Sequence, residues 1–125
     1  IEVVDSRYRD YRFKSVDNIA DNSSAARYVL GAPHSLADVG DLRRVEVQLH
    51  IDGRGVDHGV GAAALDSPLA AVAWLARHLA VRGERLQAGE VVLTGGLTRA
   101  HALPSGSIAE ARFGAGLGTV VLRHR

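Results

Sequence analysis

The residues at the start of the chain are the first whose types and spacing point to chemistry. Glu2 lies within the apolar segment Ile1–Val4, whose β-branched residues are typical of a packed strand. A carboxylate is costly to bury unless a cation meets it. The segment therefore predicts a metal ion or a charged ligand at Glu2, or an edge strand from which Glu2 points to solvent. Asp5, Ser6 and Arg7 follow directly and add charged and hydroxyl groups.

Two further polar segments could line a ligand site. Asp21–Ser24 reads D-N-S-S, and such side chains often bond their own backbone, so the segment indicates a turn with a cap, or a polar pocket wall. Thr94–Thr98 places adjacent glycines between two threonines directly after an apolar run. Glycines at a strand end let a ligand approach the backbone closely, although a simple turn explains them equally well.

Two other patterns suggest a ligand site, but the predicted strands disfavour both. His50 and His58 fall on neighbouring predicted strands, but the alternation of apolar residues puts His50 on the outer face, which disfavours a paired-histidine metal site. The glycines of 114–118 resemble a dinucleotide-binding loop. A strand and not a helix is predicted to follow them, and phosphate binding of that kind needs the helix N-terminus.

The elements that must position these residues form an α+β, β-dominant pattern. Asp52-Gly53 predicts a hairpin, and Gly59 and Gly61 predict a bulge or a close backbone approach. Ser67-Pro68 starts one main helix, of about 68–82, with Gly83 closing it. The predicted strands are Ile1–Val4, Ala26–Leu30, Val45–Ile51, Val56–Ala64, Val91–Leu93, Ile108–Phe113 and Thr119–Leu122, and a short helix is predicted over Asp17–Asp21. We expect a rolled or sandwiched sheet.

Composition narrows the function classes. The 125 residues suit a single domain, and a net charge of +1 gives no electrostatic reason to expect nucleic acid or membrane as a partner. No apolar run approaches the length of a transmembrane helix. The absence of cysteine excludes thiol catalysis and fits a cytoplasmic location. Because strand-like sequence starts at the first residue, we expect residues 1–125 to continue a longer chain.

Six stretches, in order along the chain, together resemble the C-terminal part of the 4-oxalocrotonate decarboxylase and 2-oxopent-4-enoate hydratase family, within the fumarylacetoacetate hydrolase superfamily. The stretches are Glu2–Arg7, Ala20–Ser24, Tyr28–Gly31, Pro68–Ala76, Leu93–Thr98 and Gly116–Thr119. The resemblance implies a mixed β-roll, in agreement with the strand pattern. It also implies that the chain is the C-terminal part of a longer catalytic domain.

The resemblance implies a divalent cation, Mg²⁺ or Mn²⁺, held by three carboxylates, of which Glu2 is similar to the third. The other two belong to an upstream Glu-x-Glu pair that accompanies a catalytic lysine. This chain contains no Glu-x-Glu, and Lys14 is its one lysine. A hard cation prefers oxygen ligands, and a 2-oxo acid offers it a keto and a carboxylate oxygen.

The reaction that the resemblance implies needs polar groups around the substrate, and the following residues are candidates for them, although each can also be a structural polar residue. Asp5, Asn22 and Ser23 are the catalytic candidates, with Asp5 steering a proton or water and the other two donating hydrogen bonds to substrate oxygens. Arg7 is suited to pair with a substrate carboxylate. The remaining substrate-binding candidates are Ser24, Thr94, Gly95 and Thr98.

The resemblance implies a metal-dependent lyase on 2-oxo dienoic acids from aromatic meta-cleavage, acting on a small-molecule substrate. Arg7-Tyr8, Tyr11–Phe13 and Thr94–Gly96 favour decarboxylation of 2-oxohex-3-enedioate (4-oxalocrotonate) over the alternative, 2-oxopent-4-enoate hydratase. A non-catalytic homologue that binds a small acid or a partner is the alternative of another class. Family members form homo-oligomers, and decarboxylase and hydratase associate, so either kind of assembly is expected.

Overall fold

The computed structural model describes all 125 residues and has six strands and three α-helices, joined by short 3-10 turns. It is the β-rich α+β architecture with one main helix that the sequence predicts. In chain order the elements are β1 (Glu2–Val4), α1 (Ser15–Ala20), β2 (Ala25–Tyr28), α2 (Leu36–Val39), β3 (Glu46–Ile51), β4 (Arg54–Val60), α3 (Pro68–Val81), β5 (Ile108–Phe113) and β6 (Gly118–Arg123).

The strands form two antiparallel sheets. β1 and β2 make a two-stranded ribbon, and the other four strands make a sheet in the order β4-β3-β5-β6. The β3–β4 hairpin turns at Asp52 and Gly53, whose φ angles of 49° and 78° are the two positive values that a type I′ turn requires. This confirms the hairpin predicted from Asp52-Gly53.

Alternation along the strands decides which face of the larger sheet is packed. Alternate residues of β3, β5 and β6 point to one side, and that side holds most of the buried apolar residues. The buried hydrophobic residues are Val45, Val47, Ala64, Ala109, Ala111 and Val120. The core is therefore small and lies against one face of this sheet.

Helix α3 begins at Pro68 and ends at Val81, with Gly83 at φ 73° just beyond it, close to the predicted bounds. The Ser67 side chain makes no capping hydrogen bond, and its carbonyl instead accepts from the backbone N–H groups of Ala70 and Ala71. None of the helix residues is fully buried. The apolar side of the helix is therefore only partly covered.

Three strand predictions need correction. Val91–Leu93 is not a strand, because no strand lies beside it and its backbone makes no hydrogen bond. β4 stops at Val60, since Gly61–Ala63 forms a 3-10 turn in place of the predicted extension to Ala64. β2 ends at Tyr28, two residues before the predicted Leu30.

Two glycines allow loops to lie directly on the sheet, as predicted. A β-carbon on Gly59 would lie 1.9 Å from the carbonyl oxygen of Leu97, and one on Gly61 would lie 1.8 Å from that of Leu42. Real β-carbons do not approach that closely, so any side chain at Gly59 would push the Leu97 backbone away. The contact fixes the position of the loop that contains Thr94–Thr98.

The Asp57 carboxylate on β4 holds the continuation of the same loop. Its Oδ2 lies 2.8 Å from Nε2 of His101 and accepts the backbone N–H of Arg99 at 3.3 Å. The hydrogen bond with His101, followed by one from the backbone N–H of His58, lowers the pKa of Asp57 to about 2. The loop is thus tied to the sheet by a carboxylate that stays ionised.

Gly59→Ala tests the close approach. We expect it to lower the free energy of unfolding by about 2 kcal/mol, because the added methyl group forces a backbone shift. Gly55→Ala on the same strand is the control, since its β-carbon would meet only His50 Nε2 at 3.7 Å. Urea unfolding of both variants checks this, and equal losses would contradict it.

Asp57→Asn tests the tie to the loop through its pH dependence. Because folding lowers the pKa from 3.8 to about 2, the ionised carboxylate stabilises the fold above about pH 4, and this stabilisation is lost as pH falls towards 2. The difference in Tm between wild type and Asp57→Asn should therefore shrink over that interval. Asp66→Asn, at a carboxylate without a hydrogen bond or ion pair, is the control. A difference in Tm that does not change with pH would refute the assignment.

Candidate functional site

Glu2 lines an open cavity of about 630 Å³ between the β1–β2 ribbon, helix α3 and the segment 86–93. The side chain is half-buried and does not stand free in bulk solvent. Most of its polar lining residues lie on the side of the ribbon, and the side formed by α3 and the segment 86–93 is apolar apart from Glu90. Its lining residues are Glu2, Asn22, Ser23, Ala25, Ala26, Arg27, Tyr28, Leu75, Leu86, Glu90, Val91, Val92 and Leu93.

Asn22 and Ser23 bring free polar groups to this cavity. Both are exposed, and neither side chain makes a hydrogen bond within the chain. They have φ angles of 50° and 53°, and Ser24 follows at 61°. Three consecutive non-glycine residues in the left-handed region are strained, and such strain tends to collect at functional sites. The turn keeps the amide and the hydroxyl available to a ligand.

Asp21 holds this turn in place from below. The carboxylate is buried, at 6% exposure, and accepts hydrogen bonds from the hydroxyls of Ser6 and Ser24 at 3.1 and 3.0 Å. It also accepts from the backbone N–H and from Nε of Arg7. The four interactions join the residues after β1 to those before β2. We call this group of Ser6, Arg7, Asp21 and Ser24 the Asp21 cluster.

The electrostatics of the Asp21 cluster favour an ionised carboxylate. Burial alone would raise the pKa of Asp21, but hydrogen bonds from Ser24, from the Arg7 backbone and from Ser6 outweigh burial and lower it. The carboxylate is thus a fixed negative charge that Arg7 neutralises.

The cluster uses most of the hydrogen-bonding capacity of Arg7 and Ser24. Beyond Asp21 Oδ1, the guanidinium donates to the backbone carbonyls of Asp5, Ala25 and Asp21. A guanidinium has five N–H donors, so one remains for a ligand. Ser24 is 3% exposed, and its hydroxyl donates a hydrogen bond to the Asp21 carboxylate. Their substrate-binding roles stay predictions, while their observed contacts hold the Asn22–Ser23 turn.

The other predicted residues lie outside the cavity lining. The Asp5 side chain is exposed and unbonded, while its backbone N–H donates to the carbonyl of Ser24 at 2.8 Å. Thr94 is half-buried just after Leu93, where the wall ends, and Gly95 is exposed at φ 108°. The Thr98 hydroxyl donates to the carbonyl of Arg99 at 3.2 Å. The structure thus brings Glu2, Asn22 and Ser23 together, and Asp5, Thr94, Gly95 and Thr98 do not line the same cavity.

Among the residues with polar side-chain groups that line the cavity, sequence reasoning missed three: Arg27, Tyr28 and Glu90. Tyr28 lies directly opposite Glu2 in the ribbon, so strand pairing was the signal that could have found it. Glu90 accepts the backbone N–H of Gln87 at 2.8 Å, and only the folded chain shows that it lines the same cavity as Glu2.

The oxygen atoms at this cavity are of the type that a hard divalent cation prefers as ligands. They are too few to hold such a cation alone. Glu2, Asn22 and Ser23 offer carboxylate, amide and hydroxyl oxygens, the ligands that Mg²⁺ prefers. No group of three or more histidine or acidic residues in the chain could hold a metal ion. Two carboxylates line the cavity, Glu2 and Glu90, and Glu90 already accepts the backbone N–H of Gln87, so the chain alone supplies too few acidic ligands for such a site. None of its helices is long and apolar enough to cross a membrane.

The chain is similar to proteins of known function. The chain is 42% identical over 123 residues to a 4-oxalocrotonate decarboxylase of Pseudomonas putida, covering 98% of this chain and 46% of that protein. It is 49% identical over 98 residues to a 2-keto-4-pentenoate hydratase of Burkholderia vietnamiensis, covering 78% and 37%. The chain thus spans less than half the length of these relatives.

A solved structure of a similar protein has the same fold. It is 4-oxalocrotonate decarboxylase from Pseudomonas putida G7 complexed with magnesium and adipate, with a TM-score of 0.93 at 42% identity over 99% of this chain and 47% of that one. A second structure of that enzyme, complexed with calcium and acetate, has a TM-score of 0.89 at 42% identity, over 99% and 46%. The family model described as fumarylacetoacetate (FAA) hydrolase C-terminal matches residues 2–123. With this match over nearly its whole length, the chain belongs to the fumarylacetoacetate hydrolase family.

Proposed function

We propose that this chain carries one side of the active site of a divalent-metal-dependent lyase acting on 2-oxo dienoic acids from aromatic meta-cleavage. The observation that carries the proposal is the half-buried Glu2 carboxylate, which shares a cavity with the unbonded side chains of Asn22 and Ser23. The similarity to decarboxylases and hydratases of this pathway supports it.

The residues that line the cavity have different proposed roles. Glu2 is one carboxylate ligand for Mg²⁺ or Mn²⁺, which would supply Lewis-acid stabilisation of negative charge at the keto oxygen. Asn22 and Ser23 donate hydrogen bonds to substrate oxygens, and the apolar wall around Leu75 and Val92 accommodates the hydrocarbon part. Arg7 and Ser24 keep the Asn22–Ser23 turn in place through Asp21.

We propose that the rest of the catalytic domain lies outside these 125 residues. The chain has neither a Glu-x-Glu pair nor a lysine that accompanies one, and this supports the proposal, as does the open packing of the chain. Val16 and Ile19 on α1 and Leu69 and Val81 on α3 are exposed apolar side chains that further parts of a catalytic domain would cover.

Among the possible reactions we favour decarboxylation of 2-oxohex-3-enedioate, because the residue patterns at Arg7-Tyr8 and Thr94–Gly96 are more similar to those of the decarboxylase. The dicarboxylate adipate in the similar decarboxylase structure supports a dicarboxylic substrate. Hydration of 2-oxopent-4-enoate is the alternative, supported by hydratases at up to 49% identity. Homo-oligomerisation, association of decarboxylase with hydratase, and a cytoplasmic location stay predictions from the family resemblance.

A non-catalytic role in binding a small acid is the second candidate function. It is favoured by the lack of a three-ligand acidic group within the chain. Both candidate functions predict that the cavity binds an acid. Only the lyase also predicts release of CO2 or addition of water. Assays of the complete gene product with Mg²⁺ and each of the two substrates, 2-oxohex-3-enedioate and 2-oxopent-4-enoate, therefore decide between them.

Glu2→Gln tests the metal ligand. We expect it to weaken Mg²⁺-dependent binding of oxalate by at least about tenfold, because a neutral amide is a much poorer ligand for a hard cation. Glu46→Gln, at an exposed carboxylate on the other sheet, is the control and should bind as wild type does. Isothermal titration of the complete gene product measures both. Wild-type affinity of Glu2→Gln for oxalate would contradict the assignment of Glu2 as a metal ligand. If the wild type itself shows no Mg²⁺-dependent binding of oxalate, the lyase proposal is refuted.

Ser23→Gly tests whether the strained turn serves the ligand. Glycine adopts a positive φ without strain, so we expect thermal stability to be kept or raised by up to about 1 kcal/mol. Loss of the hydroxyl should lower kcat/KM about tenfold. Ala115→Gly is the control, because Ala115 has the same φ of 53° in the turn between β5 and β6. It should gain similar stability at unchanged activity, and a Ser23→Gly variant with full activity would refute the role of the hydroxyl.

A further inference from the structure

The pairing of β1 with β2 makes Tyr28 the nearest cross-strand neighbour of Glu2. Ile1 and Val29 exchange both backbone hydrogen bonds, Ile1 N–H to Val29 O at 2.9 Å and Val29 N–H to Ile1 O at 2.8 Å. The next pair along an antiparallel ladder is a non-hydrogen-bonded pair, in which the side chains stand closest together. That pair is Glu2 and Tyr28.

Side chains directly opposite each other lie on the same face of the ribbon, with β-carbons about 4.5–5.5 Å apart. Glu2 and Tyr28 accordingly line the same cavity. The Tyr28 hydroxyl makes no hydrogen bond to Glu2 or to any other group in the chain, and the residue is 52% exposed. A donor of this kind beside a carboxylate that binds a cation is well placed to meet the ligand of that cation.

The other two tyrosines differ from Tyr28. Tyr11 donates its hydroxyl to the carbonyl of Val4 at 3.2 Å, and Tyr8 packs against Phe13 with ring centroids 6.0 Å apart. Neither lines the cavity. Tyr28 is thus the one tyrosine whose hydroxyl is both unbonded and at the candidate site.

We propose that Tyr28 is a ligand-binding residue, whose hydroxyl donates a hydrogen bond to a carboxylate oxygen of the acid held at Glu2. This inference rests on the proposed function and adds a neutral hydrogen-bond donor to the polar groups already named there, Glu2, Asn22 and Ser23. A phenol can donate to an oxygen anion without carrying charge itself, so it adds to the affinity for the acid without repelling the cation. Hydrogen bonds to charged groups are the stronger ones.

Tyr28→Phe tests the proposal with magnesium oxalate as the probe. Because the hydroxyl has no partner in the chain, the Tm should stay at the wild-type value. The affinity for oxalate in the presence of Mg²⁺ should fall about tenfold, the effect of one hydrogen bond to a charged group. Tyr8→Phe is the matched control and should keep the wild-type affinity. The ultraviolet difference spectrum of tyrosine on oxalate binding gives a second readout, expected in wild type and Tyr8→Phe and lost in Tyr28→Phe.

The outcomes separate this inference from the proposed function. If wild type and Tyr28→Phe bind magnesium oxalate equally well and give the same difference spectrum, Tyr28 is not a ligand-binding residue and the lyase proposal stands. If the wild type binds no magnesium oxalate, both fail. Loss of affinity in Tyr28→Phe alone, with its Tm unchanged, supports the inference.

Discussion

Burial of the Asp21 carboxylate is the constraint on which the candidate site depends. A carboxylate at 6% exposure requires partners, and the chain supplies them from both sides, with Ser6 and Arg7 after β1 and Ser24 before β2. A two-stranded ribbon on its own is marginally stable. The Asp21 cluster closes one end of this ribbon and so keeps Glu2 on β1 in a fixed relation to the Asn22–Ser23 turn.

A second set of contacts holds the opposite side of the molecule. Gly59 and Asp57 on β4 receive the chain at Leu97, Arg99 and His101, so the segment that leaves the cavity wall at Leu93 is tied to the larger sheet soon afterwards. The cavity therefore has the ribbon on one side and, on the other, the segment 86–93, whose own wall residues Val91–Leu93 make no backbone hydrogen bond and which is tied to the sheet only further along, at Arg99 and His101. Regular secondary structure contributes little to its apolar wall.

Local sequence signals predicted the parts of the fold that depend on near neighbours. The Asp52-Gly53 turn, the ends of α3 and the alternation along β3 all follow from a few adjacent residues. The strand predicted at Val91–Leu93 failed because a strand also needs a partner, which an apolar run cannot reveal. For the site, residue types pointed to Glu2, Asn22 and Ser23. The register that places Tyr28 opposite Glu2, and the burial of Asp21 that occupies Arg7 and Ser24, are tertiary properties that no local pattern contains.

The segment D-N-S-S shows how one short polar run can serve both the fold and a ligand. Asp21 and Ser24 face inwards and bond each other, while Asn22 and Ser23 between them face the cavity with free side chains. In an α-helix, residues three apart would also lie on one face. The backbone of the residues between them would then take part in the regular hydrogen bonds of the helix. Here three left-handed residues turn the chain sharply, at a cost of order 1–3 kcal/mol each. The four hydrogen bonds of Ser6, Arg7 and Ser24 to the Asp21 carboxylate offset that cost, so the strained turn and the buried acid depend on each other.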